Sequence, residues 1–406
     1  MKYNVMLVYI SYELDNHVNI VNGGKLFFDN IYNRLCEHNN LNCIKVFINV
    51  APTDETNNNL SCDANGNYAM RLNTNYIKRN TRNFLKQGFY IPFEGEARIN
   101  KKQLTKKLGI IVKEKKIDTI IMAYLYTALF VEYADIPCKV LMITCNDEAA
   151  FYKENMSVMI NKMNNPLKRI SSKISAFICN RKLINFEMKC YNEMNRVVTI
   201  SENDIPVYLP HEKVSVITLY LNDKEKMWTY NKNKIVFFIG SYAHYPNKLA
   251  IDYMIEHVVP QVNELMVNVK FMFLGVAPSQ IDKSLHKANV TFLGTGNKSD
   301  AERLFTEGSL LFCPVKNMFG QKMKIAEALS YRTPFLASQE TMYGYPYLRN
   351  LPYAPLEDSS QSAKMIVEYL GDPAKLQQLS KQAHDLHSTF IKTQCNVWYN
   401  IIAGKN

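Results

Sequence analysis

The sequence predicts an α/β protein built from two doubly wound, parallel-sheet domains, and three observations carry that prediction. Short apolar runs alternate with amphipathic helical stretches, the pattern left by the strands and crossover helices of a parallel sheet. The pattern breaks at the charged segment LNDKEKMWTYNKNK, residues 221–234, and restarts at IVFFIG. The 406 residues, 47% hydrophobic and 21% charged, are too many for one compact core and too apolar for a disordered chain.

In order along the first half, strand 5–10 leads to a helix at 25–38, then strand 43–50, a helix at 101–116, strands 119–123 and 140–144, a long helical stretch, and strands 197–200 and 214–219. The Asn- and Asp-rich residues 51–100, with TDETNNNLSCDANGNY, read as inserted surface loops. The second half runs strand 235–239, helix 247–266, strands 269–274 and 289–293, helix 299–306, strand 309–313, helix 322–331, strand 334–337, and helices at 360–370 and 374–390. The expected domains are residues 1–225 and 226–390, with 391–406 a tail crossing back to the N-terminal domain. Two such domains facing across a cleft bind ligands at the carboxyl ends of their strands, although fold alone does not name the ligand.

Composition narrows the function. The most apolar run, residues 119–131, falls short of the roughly 18 residues that span a bilayer. The opening MKYNVMLVYISYELD reads as a first strand and not a signal peptide, and nine scattered cysteines without a CxxC point to a reducing cytoplasm. Of the net charge of +11, residues 151–200 hold a large share, with nine Lys/Arg against three acids. Such a cluster suits a membrane surface, a phosphorylated substrate or nucleic acid, or is a solvated helix face. The eight histidines form no HExxH, and there is no GxGxxG after the first strand and no GxxxxGK[ST]. No metal site is expected, and dehydrogenase and P-loop readings lose support.

The most specific passage is CPVKNMFGQKMKIAEALSYRTPFLAS, residues 313–338. A strand ends, a loop containing Gly320 follows, and a helix begins at Lys322 whose first amides and whose Lys322 and Lys324 favour phosphate. Glu327, one turn in, suits the hydroxyls of a sugar or ribose. The residues by themselves describe a diphosphate-and-diol site; the alternative is an ordinary amphipathic helix with surface lysines.

The run Gly320-x-Lys322-x-Lys324-Ile325-x-Glu327-Ala328-Leu329, with Thr333 to Ser338 and Gly344, resembles the nucleotide-sugar signature of GT-B glycosyltransferases, family 4 in particular. FIGSYAHYPNKLAIDYMIEHVVPQV (238–262), VKFMFLGVAPS (269–279) and NVTFLGTGNKSDAERLF (289–305) resemble the earlier units of that family's donor domain, so the match covers residues 235–345. The resemblance implies donor contacts at Gly240, Ser241, Asn247, Gly294, Gly320, Lys322, Lys324 and Glu327. It also implies a nucleotide-diphosphate sugar as co-substrate without cofactor or metal, and transfer with retention of anomeric configuration. In the first half, Gly23-Gly24 resembles the glycine pair near the acceptor and donor diphosphate, with a helix-entry turn as the alternative. Residues 195–204 (NRVVTISEND) resemble the strand and SexD segment that closes the N-terminal domain, where Ser201 is first a helix N-cap. Two departures stand out: Phe319 occupies a position where many members carry Glu, and Ser241 and a Pro246-Asn247 pair replace the usual Arg and Lys after the first glycine.

In MITCNDEAAFYK, residues 142–153, two acids follow a strand end at once. Asp147, with Glu148 in reserve, is the candidate catalytic group, against the alternative of an exposed N-cap. The expected activity is that of a glycosyltransferase acting on a saccharide or lipid-linked acceptor in cell-surface polysaccharide or glycoconjugate synthesis. Alternatives are an epimerase of the same fold and a basic nucleic-acid-binding protein, although no homeodomain, zinc-finger or RNP pattern supports the latter. The expected place is cytoplasmic, peripheral at the inner face of an anionic membrane through residues 151–190; the competing expectation packs the apolar residues of that stretch into the domain.

Overall fold

The computed structural model describes residues 2–11, 23–51, 61–64, 66–73 and 94–405. The chain divides into two compact units, residues 1–18, 31–217 and 396–406 in one and residues 19–30 with 218–395 in the other. The expected boundaries lay a few residues later at 225 and a few earlier at 390.

The first unit is an eight-stranded sheet. Its strands are β1 (Tyr3–Ser11), β2 (Leu41–Ala51), β3 (Ser61–Cys62), β4 (Tyr68–Asn73), β5 (Thr119–Ala123), β6 (Lys139–Thr144), β7 (Arg196–Thr199) and β8 (Val214–Val216), in the spatial order β3-β4-β2-β1-β5-β6-β7-β8. All pairs are parallel except β3 with β4. β1 is central because its sequence is continuously apolar: Val5, Met6, Leu7 and Val8 are fully buried, as a strand covered on both faces requires. Helices α1 (Gly23–Cys36), α2 (Glu94–Glu114), α3 (Glu148–Asn161) and α4 (Pro166–Glu193) connect the strands. Residues 61–73 correct the expectation of inserted loops, since β4 extends the sheet beside β2 from Val46 opposite Tyr68 to Ala51 opposite Asn73. The α2 helix also begins seven residues before the expected start. The remainder of 51–100 lies outside the described residues.

The second unit is a five-stranded parallel sheet of β9 (Ile235–Ile239), β10 (Lys270–Leu274), β11 (Val290–Phe292), β12 (Leu310–Cys313) and β13 (Phe335–Ala337), in the order β11-β10-β9-β12-β13. Phe237, Phe238, Phe271, Phe273, Phe305 and Phe312 fill its core. Between β9 and β10 the single expected helix is two: α5 (Tyr245–Tyr253), a π-turn over Met254–Val258, and α6 (Val259–Leu265). Pro260, which has no N–H and whose ring crowds the preceding turn, accounts for the interruption. Helices α7 (Lys298–Glu307), α8 (Met323–Tyr331), α9 (Gln339–Met342), α10 (Ser359–Gly371) and α11 (Pro373–Thr393) follow. The last helix, α12 (Val397–Ala403), belongs to the first unit: Tyr399 stacks on His38 at 4.4 Å, and Lys139 Nζ donates to the Ile402 carbonyl at 3.1 Å.

Candidate active site

In the second unit the strand order reverses between β9 and β12, which creates the crevice where open α/β sheets hold ligands. Two loops end there. The first follows β9 as Gly240-Ser241 and enters α5. The second follows β12 through residues 314–322 and enters α8.

Close backbone packing shapes the first loop. A Cβ on Gly240 would lie 2.6 Å from Asn247 Nδ2, and one on Gly275, whose φ is +96°, would lie 2.4 Å from the Gly240 carbonyl oxygen. The Gly240 amide donates to the Leu274 carbonyl at 2.8 Å and the Tyr242 amide to the Gly275 carbonyl at 3.0 Å, so the strand ends of β9 and β10 meet backbone to backbone. A methyl at Gly275 forces both a left-handed residue and a backbone clash. Gly275→Ala is therefore expected to lower stability by about 1–3 kcal/mol, read as a reduced urea midpoint. An unchanged midpoint would mean that the loop yields freely. Gly294, also at positive φ, has open space where its Cβ would be.

The second loop is pinned from several sides. Gly320 takes φ +65°, and the Asn317 side chain accepts from the Phe319 amide at 2.9 Å. The Gln321 side chain accepts from the Leu219 amide at 2.7 Å and donates to the Gly344 carbonyl at 2.8 Å, while Tyr345 donates to the Lys322 carbonyl at 2.9 Å. Lys322 is the residue that caps α8 rather than its first helical residue, and its ammonium donates to the Phe319 and Gly320 carbonyls, bracing the loop.

One hydrogen bond joins the two loops: Lys324 Nζ donates to Asn247 Oδ1 at 2.9 Å, and Asn247 Nδ2 donates to the Ser241 carbonyl at 3.2 Å. The Lys324 ammonium also stands 3.8 Å over the Phe238 ring. Although part of Lys324 remains open to solvent, desolvation drops its pKa to about 8, against the opposing pull of Cys313 and Glu327. Glu327 is pushed the other way, to about 7, by burial, with Lys224 and Lys324 moderating the rise. A cation that has lost part of its hydration is ready to exchange what remains for an anion.

His244 is a member of this site that the sequence reading passed over. It sits in the turn that enters α5, and although the residue reaches the surface, its pKa is drawn down to about 4, first by desolvation and then by the charges of Lys324 and Lys322. Its place between Gly240 and Asn247 is the signal that the sequence offers for it. Lys248 faces a different partnership, 2.7 Å from Asp252 and 2.6 Å from the Tyr242 hydroxyl.

Gly23 and Gly24, which group with the second unit, open α1, and the remaining candidates lie in the first unit. Asp147 occupies the N-cap of α3, where its Oδ1 accepts from the Ala150 amide at 2.9 Å. Burial raises its pKa while the Ala150 and Ala149 amides hold it back. Glu148 accepts from Tyr126 at 3.3 Å and from Asn146 at 3.2 Å. Ser201 caps the short helical turn that follows β7, accepting from the Asn203 amide at 3.2 Å.

The sequence reading also missed Glu187. Fully buried on α4, it accepts from the Glu148 amide at 3.0 Å, from Tyr191 at 3.4 Å and from Tyr208. Its pKa rises to about 8, chiefly by desolvation, with the Asp147 and Glu148 charges adding to the rise and the Tyr208 and Glu148 donors opposing it. The folded state thus keeps a proton that the unfolded chain, with an ordinary value of 4.5, has already released. This contribution is intact below the unfolded pKa and is lost as pH climbs to the folded one, at up to about 1.4 kcal/mol per pH unit. Glu187→Gln fixes the neutral form and is expected to remove that slope. Urea midpoints of the two proteins should diverge in favour of the variant between about pH 5 and 8; parallel curves would contradict a protonated Glu187.

Among the described residues, no three of His, Cys, Asp and Glu come together in a way that could hold a metal ion. No helix of the described residues is long and apolar enough to cross a membrane.

Residues 233–372 match the family model of the glycosyl transferases group 1. No curated protein sequence matches the chain. Solved structures similar over the whole chain include sucrose-phosphate synthase from Thermosynechococcus elongatus, at TM-score 0.68 and 13% identity with 100% of both chains covered. TarM follows at 0.62 and 13% identity over 99% of each chain, and HepE of Anabaena, in complex with UDP and glucose, at 0.59 and 11% over 95% of each. The architecture is the GT-B fold.

Proposed function

We propose that this chain, whose residues 233–372 match the family model of the glycosyl transferases group 1, moves a sugar from a nucleotide-diphosphate donor to a saccharide or lipid-linked acceptor in glycoconjugate or polysaccharide synthesis. The Lys324–Asn247 hydrogen bond across the crevice between β9 and β12 carries this reading. It sets a partly desolvated cation and the first turns of two helices at one point, an arrangement suited to a diphosphate. The complex of HepE with UDP and glucose supports the same ligand class here.

In this reading the carbon–oxygen bond to the diphosphate breaks as negative charge grows on the leaving oxygen. Lys324 and the amides of α8 stabilise that charge, with Lys322 holding the loop in place. Glu327 takes the sugar hydroxyls. With Phe319 where many members carry a second acid, sugar recognition leans on Glu327 alone among the motif's carboxylates. The acceptor oxygen bonds to the anomeric carbon on the face the diphosphate leaves, and its proton passes to the departing phosphate oxygen, which gives retention without a separate base. Asp147 and Glu148 act on the acceptor side, with Gly23 and Gly24 allowing close backbone approach.

A panel of nucleoside diphosphates and their sugars, read by thermal unfolding, tests the ligand class. The cognate nucleotide at about 100 times its Kd should stabilise the protein by about 2.7 kcal/mol. A panel in which no diphosphate raises the unfolding temperature would refute the assignment. The anomeric configuration of the product, read by proton NMR, tests retention.

A further inference from the structure

We propose that the N-terminal half of α4 is a docking surface for an anionic lipid bilayer. The helix is 28 residues long, but only its far part, with Leu183, Glu187, Cys190 and Tyr191, is buried in the first unit. Ahead of these, Leu167, Ile170, Ile174 and Phe177 are 77%, 58%, 58% and 69% exposed. Their spacing of three, four and three residues gathers them within an arc of roughly 80° at 3.6 residues per turn. Four large apolar side chains aligned on one exposed face are a contiguous patch, unlike scattered surface leucines. The alternative left open by the sequence, packing into the domain, holds for Ile160 and Leu183 but not for these four residues.

The charge around the stripe selects the partner. From Lys162 to Phe186 there is no Asp or Glu, while Lys162, Lys168, Arg169, Lys173, Arg181 and Lys182 fall in that span. Lys173 and Lys182 flank the stripe on opposite sides, and Arg181 continues it one turn beyond Phe177. Long cationic side chains in these places can lay their methylenes along an apolar interface and lift their charges to the headgroups. A second copy of the chain would fit the three-four spacing, but it would bring the same cations face to face along a stretch, Lys162 to Phe186, that offers no acid of its own to pair them. A nucleic acid would answer the cations and leave the apolar stripe in water. An anionic bilayer satisfies both.

Co-sedimentation of the full chain with vesicles tests this. Binding is expected to vesicles containing about a third phosphatidylglycerol at low salt and to fall at least severalfold at physiological salt, with little binding to pure phosphatidylcholine. Two variants separate the contributions: Leu167→Ser/Ile170→Ser/Ile174→Ser/Phe177→Ser and Lys173→Glu/Arg181→Glu/Lys182→Glu. Each should weaken binding by about tenfold or more while leaving nucleotide-diphosphate affinity, a property of the other unit, unchanged. In Phe177→Trp, the new indole should blue-shift and be quenched by brominated lipid, against native Trp228 and Trp398, which are buried. Several results would overturn the proposal: equal binding to both vesicle types, no binding to either, or an apolar-to-serine variant that binds like the parent, which would mark a purely polyanionic surface. A concentration-dependent dimer in the absence of lipid, abolished by the same variant, would assign the face to a second copy. None of these outcomes bears on the glycosyl-transfer reading.

Discussion

Replacing Lys324 with alanine is expected to weaken nucleoside diphosphate binding by about 10- to 150-fold, the value of one charge-assisted hydrogen bond of roughly 1.5–3 kcal/mol. Burial has already stripped part of the water from this ammonium, so a diphosphate displaces less solvation there than at an exposed lysine. The substitution also leaves Asn247 Oδ1 without the Lys324 donor and uncovers the face of Phe238. The effect should depend on pH. With the Lys324 pKa at about 8, the parent protein holds the cation below that value and loses it above, so its affinity should decline as pH rises through 8 while that of Lys324→Ala stays flat. Lys322→Ala is expected to act more weakly on the diphosphate itself, because the Lys322 ammonium donates to the carbonyls of its own loop. Calorimetric titration of the three proteins checks this. Equal affinities in the parent and Lys324→Ala would remove Lys324 from the donor site.

Asp147→Asn is expected to lower turnover by about 100-fold or more, the range in which a positioned charge stabilises a transition state. The substitution is discriminating because Asn is as good an N-cap as Asp. The bond from the Ala150 amide can persist through the amide oxygen, so stability and nucleotide affinity should hold while the charge is gone. A fully active Asp147→Asn, with Glu148→Gln active as well, would leave both residues as the structural start of α3. Glu148 is already held by Tyr126 and Asn146 and is the more constrained of the pair.

Much of this molecule is legible from local chemistry. The central strands β1, β5 and β9 are runs of apolar residues that only a sheet covered on both faces can bury. The start of α3 at an Asp and of α4 at an Asn-Pro pair follows from capping. The loop and helix from Gly320 to Glu327 stand out because a glycine, two lysines and a glutamate fall at a helix entry, a pattern suited to a phosphate-bearing ligand. What escaped depends on partners distant in sequence. Glu187 is one acid in a long basic helix until the fold brings the Glu148 amide, 39 residues earlier, to its carboxylate. Tyr124, at φ +70° after β5, has no glycine to announce its left-handed backbone. The strands within residues 61–73 lie in a polar stretch whose pairing is decided by the neighbouring strand, not by its own pattern. His244 gains meaning only from two lysines nearly 80 residues later in the chain.

Release of nucleoside diphosphate from a panel of UDP-, GDP- and TDP-sugars tests the central claim most directly. Glycosyltransferases hydrolyse their donors slowly when water replaces the acceptor, so the intact protein should release diphosphate from at least one donor, and Lys324→Ala should release it far more slowly at the same donor concentration. A protein that turns over none of these sugars, with or without added saccharide acceptors, and binds none of their diphosphates would contradict the account.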